Sequence, residues 1–405
     1  MYKLDPQKLE HSPRAVRFWE CCLAVFYENL SKIKRRTLVS KKSIAQVNIN
    51  QFIEDEEQSR FYLDKAFEIF QLANRNHLPV YELSENLKDE FYIRNVKPKA
   101  GENQPDSVAT QEFIVNSATA LSKPKIAVAN TKVLEANIKA SMRGKPNYDG
   151  RFNTLYKIFK QTREEKADIL LLPECFMPIA FLDRIVWYAV KEQKMVVTGI
   201  EHVTLDKLSF NFIVTILPFE WNGIKDAVVV YRLKNHYSHA ERLMIETNHF
   251  KVPIPSQYIY DLFIWKGIYF SPYYCFELAD ISHRSIFKSQ IDLLIASEWN
   301  PDVNYFSNIV ESISRDIHVY VAQVNTSQYG DTRITRPSKT DMKDILKLKG
   351  GDNDTILVGE INLDSLREFQ RELYAKTKDD KMFKPLPPDF PLQNVMKRIN
   401  NMPMF

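Results

Sequence analysis

Between Lys125 and Ile361, short runs that are almost wholly apolar alternate with segments of helical spacing, and this alternation limits the fold more than any other feature of the chain. KIAV at 125–128 opens the series. A helix-spaced stretch over 151–166 follows, with Phe152, Leu155, Tyr156 and Phe159 on one side, and then the run ADILLLP at 167–173. The order repeats: a helix over 185–193, strands over 195–200, 210–217 and 227–233, a helix near 282–288, a strand over 291–296, a helix over 306–316, and strands over 318–324 and 355–361. Strands apolar on both sides need cover on both faces. The pattern therefore predicts an α/β architecture whose sheets are covered by helices.

The flanks read differently. Ser12-Pro13 resembles a helix start, with apolar residues recurring from Val16 to Leu30, and a second helix is expected over 54–73. Residues 1–97 are thus expected to form a small helical N-terminal unit. The Pro-, Ser- and Thr-rich stretch over 98–124 reads as a linker, with QEFIV packing on a neighbour. Residues 125–366 form the main domain, and 367–405 a proline-rich tail that wraps a surface. The basic segment over 32–42 reads first as a solvated face.

Several function classes are set aside by composition. A net charge of +4 is spread over 55 basic and 51 acidic side chains, which gives no strong nucleic-acid or membrane signal. Four cysteines without a C-x-x-C spacing give neither a disulfide framework nor a zinc module. No glycine-rich phosphate cradle occurs, no run is long and apolar enough to span a bilayer, and the first residues lack the apolar core of a signal peptide. A cytoplasmic protein without cofactor or metal is expected.

Three of the apolar strands run into titratable residues. LLLPECF delivers Glu174, a carboxylate beside much apolar surface, which suits a general base but also a turn or cap. VVVYRLK delivers Lys234, which could steady an oxyanion or simply end a strand at the surface. The continuation holds His236, His239 and Glu241, a weak metal-binding reading with no fourth ligand. WKGIYFSPYYCFE breaks at Ser271-Pro272 and ends in Cys275, either a nucleophile or a buried small hydrophobe. Together a thiol, a carboxylate and a cation supply what covalent acyl transfer requires. Cys175, next to Glu174, is expected to point away along an extended segment and to serve in packing.

With Pro173-Glu174, Lys234-Asn235-His236 with Glu241, and Cys275-Phe276-Glu277 in that order, the chain resembles the nitrilase, or carbon-nitrogen hydrolase, superfamily over about 125–366. Trp299-Asn300 after the strand following the cysteine belongs to the same resemblance. It implies a four-layer α-β-β-α sandwich, with Glu174 as base, Cys275 as nucleophile, Lys234 and the Phe276 N–H at the oxyanion, and Glu241 orienting Lys234 and Glu174. Ala279 departs from it, since many members carry an arginine there. The implied function is hydrolysis of a small-molecule amide or nitrile through a thioester, in a homo-oligomer. Acyl transfer to an amine is an alternative, as is a silent assembly or sensor module. The segments around 298–316, 327–339 and 345–354 are similar to nitrilase-like domains that accompany reverse transcriptases in bacterial antiviral defence, which adds a reverse transcriptase or a nucleic acid as an expected partner.

Overall fold

A computed structural model describes residues 16–39, 92–100, 108–117, 119–205, 207–253, 258–372 and 382–405. In chain order its strands are β1 (Ile93–Ala100), β2 (Val108–Val115), β3 (Lys125–Asn130), β4 (Ile169–Leu171), β5 (Met195–Gly199), β6 (Val203–Leu205), β7 (Leu208–Phe210), β8 (Phe212–Trp221), β9 (Ile224–Leu233), β10 (Tyr258–Trp265), β11 (Ile268–Tyr274), β12 (Leu293–Ser297), β13 (Tyr320–Val324), β14 (Thr332–Thr335), β15 (Asp344–Leu348) and β16 (Thr355–Glu360). The helices are α1 (Phe18–Val39), α2 (Glu135–Met142), α3 (Arg151–Glu164), α4 (Leu182–Glu192), α5 (His239–Thr247), α6 (Ile281–Arg284), α7 (Val303–Asp316), α8 (Leu363–Arg371) and α9 (Leu392–Ile399).

Two large sheets carry the fold, one of eight strands in the order β1-β2-β10-β11-β12-β13-β14-β15 and one of six in the order β16-β3-β4-β5-β8-β9. They face each other, with β11 over β8, β12 over β5 and β13 over β3. Helices α3 and α4 cover the six-stranded sheet and α7 covers the eight-stranded one. This is the expected α-β-β-α order of layers. Alternation along the strands decides the packing: Phe270 and Tyr274 of β11 face the core between the sheets, while Tyr269 and Tyr273 face the α7 side.

The ends of the chain depart from expectation. Helix α1 is not part of a separate unit, because Phe26 stacks on Tyr231 of β9 at 3.8 Å and Asp226 caps the helix through the N–H groups of Phe18 and Trp19. The expected helix start at Ser12-Pro13 and the second helix over 54–73 lie outside the described residues. The supposed linker contains β2, which pairs in parallel with β10 over eight residues and is buried along its whole length. Its polar residues hid it in the sequence, yet they find partners: Gln111 Nε2 donates to Asn95 Oδ1, and Glu112 accepts from the Met404 N–H.

Nor does residue 366 end the domain, since it falls within α8. Beyond it Phe383, Leu386 and Phe390 are buried, and Arg398 of α9 reaches the interior. The run from 265 also differs, because β10 and β11 form a hairpin through Lys266-Gly267 and β11 continues through Ser271-Pro272 without a break.

Candidate active site

Glu174 follows β4, where Pro173 cannot extend the ladder and the chain turns. The turn sits directly on β5 because residue 199 is glycine. A Cβ there would lie 2.6 Å from both Cys175 N and Glu174 Cα. Cys175 itself adopts φ 53, so it lies in a left-handed turn and not in the extended segment expected for it. It is nevertheless buried, with Sγ 3.9 Å from His202 Nδ1.

Lys234 follows β9, and Cys275 follows β11 of the opposite sheet. The structure brings Glu174, Lys234, Glu241 and Cys275 together. Cys275 Sγ donates to Glu174 Oε2 at 3.5 Å, and Lys234 Nζ donates to Glu174 Oε1 at 2.5 Å and to Glu241 Oε2 at 2.5 Å. Glu241 reaches inward from the first turn of α5, whose N-terminus is capped by Ser238.

The metal-binding reading fails on this geometry. Glu241 turns to Lys234, His236 Nε2 meets His283 Nδ1 at 2.9 Å, and His239 is exposed. No group of three potential ligands converges among the described residues.

Two further side chains that the sequence reading passed over complete the cluster. Asn211 Nδ2 donates to Glu174 Oε1 at 2.8 Å and to Glu241 Oε1 at 2.9 Å, so one amide spans both carboxylates. His202 Nε2 faces Glu241 Oε1 at 3.2 Å. The only hint of Asn211 in the sequence is a polar residue at the mouth of an apolar strand, and His202 leaves none.

A third missed residue fixes the two sheets in register. Arg232 of β9 grips Glu277 with two parallel bonds, Nη1 to Oε1 at 2.7 Å and Nη2 to Oε2 at 2.9 Å. Glu277 also accepts from the N–H groups of Asn235 and Tyr274. A bidentate arginine-carboxylate pair is directional as well as strong. It holds the residue after Lys234 and the residue before Cys275 on one carboxylate.

Charge is unevenly shared. Burial, with the neighbouring negative Glu241, pushes Glu174 up to about 7 against the pull of Lys234. Burial also acts upward on Glu241, but Lys234 and His202 outweigh it and hold that carboxyl at about 2. Two carboxyls on one lysine titrate as a pair, with Glu174 moved above and Glu241 below the ordinary carboxyl value. Burial and the Glu174 charge raise the Cys275 thiol well above its ordinary value, so its proton leaves only to a base in contact. The Lys234 ammonium is favoured by both carboxylates, against the cost of burial.

No known family profile matches the chain, and no curated protein matches it. Its structure matches amidases of the nitrilase, or CN-hydrolase, superfamily at low sequence identity. An amidase from Nesterenkonia sp. is 13% identical and covers 64% of this chain and 98% of its own, with a TM-score of 0.44. A CN-hydrolase superfamily protein from Xanthomonas campestris, with an arsenic adduct in its active site, is 13% identical and covers 65% of this chain and 100% of its own, with a TM-score of 0.43. Among the described residues no helix is long and apolar enough to cross a membrane.

Proposed function

We propose that this chain hydrolyses the C–N bond of a small amide or nitrile through a thioester on Cys275. The observation that carries the reading is the contact of Cys275 Sγ with Glu174 Oε2, while Lys234 occupies the other oxygen of the same carboxylate. For an amide, Glu174 takes the thiol proton as sulfur bonds to the carbonyl carbon, which suits a base that titrates at about 7. The oxyanion is held by the Lys234 ammonium and by the Phe276 N–H, near the start of the 3-10 turn Cys275–Ala279, where N–H groups lack acceptors within their own helix. Collapse breaks the C–N bond, and Glu174 gives its proton to the departing amine. Water then loses a proton to Glu174 and attacks the thioester, and the sulfur regains its proton as the acid leaves.

Cys275→Ala is expected to reduce turnover of any accepted amide by about 10⁴-fold or more, and Glu174→Gln nearly as much. Brief mixing of the wild-type protein with that amide, followed by acid quench, should show by peptide mass spectrometry an acyl group on the peptide containing Cys275. Wild-type turnover by the alanine variant, or acylation at Cys175 instead, would refute the scheme.

A further inference from the structure

Glu298 takes no part in the acid-base steps above, and its surroundings are unbalanced. It directly follows β12. Tyr274 and Ser297 are register partners in the parallel pair β11/β12, so Cys275 and Glu298 each directly follow one of two neighbouring strands, and the Glu298 charge acts on the Cys275 thiol. The carboxyl is wholly buried. Gln323 Nε2 donates to its Oε2 at 2.8 Å, which fixes the orientation of both side chains. Glu298 Oε1 and Gln323 Oε1 are buried without a partner. Arg333, the cation that acts on Glu298, gives its Nη2 to Asp331 and Ser307 while its Nε and Nη1 are buried without a hydrogen-bond partner, and Glu298 forms no ion pair among the described residues.

Two unpaired acceptor oxygens, one of them on a carboxyl whose charge acts on the Cys275 thiol, match a substrate carrying N–H donors. A buried carboxyl without its own cation matches best when those donors are positively charged. We propose that Glu298, held by Gln323, selects amide substrates that bear an amino group, with the ammonium hydrogen-bonded to Glu298 Oε1 and Gln323 Oε1. Burial keeps the Glu298 carboxyl protonated up to about 8. Arrival of an ammonium therefore displaces the carboxyl proton to solvent, and the site exchanges one positive charge for another.

This inference rests on the amide-hydrolase reading, and its test separates the two. Binding to the Cys275→Ala protein is measured by calorimetry at pH 7, in two buffers of different ionisation enthalpy, for ω-aminoalkanamides with two to five methylenes and for their methyl-terminated isosteres. At least one amino amide should bind about tenfold or more tightly than its isostere, with release of roughly one proton. Both effects should vanish in Cys275→Ala/Glu298→Gln.

No preference at any chain length, a preference that survives Glu298→Gln, or tighter binding of the matching ω-carboxy amides would overturn the proposal. If Glu298→Gln does not fold, Gln323→Met must lose the same preference. If the preference holds while the wild-type protein neither turns these amides over nor forms the thioester, the hydrolase reading fails and the recognition role of Glu298 stands.

Discussion

The two ends of β12 carry buried carboxyls in opposite condition. At the strand entrance Asp292 accepts from Arg367 Nε at 2.9 Å and Nη2 at 2.5 Å, from Arg398 Nη1, and from the Tyr269 N–H at 3.1 Å. Burial raises its pKa, but the two guanidinium groups outweigh this and hold the carboxyl below the usual range. At the exit Glu174 and Glu241 share Lys234, and Glu298 forms no ion pair among the described residues.

Both ends are equally dry, so burial does not distinguish them. Charge balance does. Where cations outnumber the carboxylate, the charge is fixed and serves to fasten α8 and α9 to the sheet. Where carboxyls outnumber the cation, a proton stays behind and can be moved.

The contrast breaks most visibly at Asp292. Asp292→Asn leaves Arg367 and Arg398 buried without their counter-charge, and removing one partner of a buried pair costs about 3–5 kcal/mol. Urea unfolding should show that loss, while turnover per folded molecule stays within a factor of about two. The pH signs also differ. Asp292 is depressed from 3.8, so its contribution is present above the unfolded value and is lost as pH falls through the folded one. Glu174 is raised from 4.5 to about 7, so its contribution is present below 4.5 and is lost as pH rises through about 7. Asp292→Asn should therefore flatten the acid side of the stability profile and leave the neutral side unchanged. A variant as stable as the parent would show that the two ends are not different in kind.

A smaller effect sharpens the other end. Glu174 must be ionised to accept the thiol proton, so kcat/KM should rise with pH through a midpoint near 7. The negative Glu241 raises that midpoint and Lys234 lowers it. Glu241→Gln should thus move the acid limb down by about one unit, whatever it does to the maximum rate. Lys234→Met should move it up. An acid limb that ignores both substitutions would assign it to another group.

The layered architecture was legible because ILL, MVVTG and LLIAS are apolar on both faces and cannot stand uncovered. Strand ends alone left Glu174, Lys234 and Cys275 each a structural alternative, and only the nitrilase resemblance joined them with Glu241 into one expected cluster. What the sequence hid was whatever depends on contacts across long separations. Strand β2 was concealed by Gln111 and Glu112, whose partners at Asn95 and Met404 lie 16 and 292 residues away. The Arg232-Glu277 clasp joins residues 45 apart on different sheets, and nothing in either local motif announces it. Asn211 and Glu298 were hidden for the same reason. A polar residue at a strand end looks alike whether it meets water, a structural partner or a reacting group.

The smallest expected effect belongs to His202. Its ring lies between Cys175 Sγ and Glu241 Oε1, two contacts from Glu174, and it helps to hold the charge on Glu241. Losing one such contact is worth about 1 kcal/mol, or roughly fivefold in kcat. Glu241 titrates at about 2, far enough below neutrality that a modest rise leaves it ionised at pH 7. His202→Asn should therefore lower kcat by that factor while the acid limb stays within a few tenths of a unit of its parent position, and His202→Gln should recover part of the loss. A limb displaced by a full unit would mean that the ring acts on Glu174 itself. The negative charge would then not reside on Glu241 alone, and the division of labour between the two carboxyls would have to be redrawn.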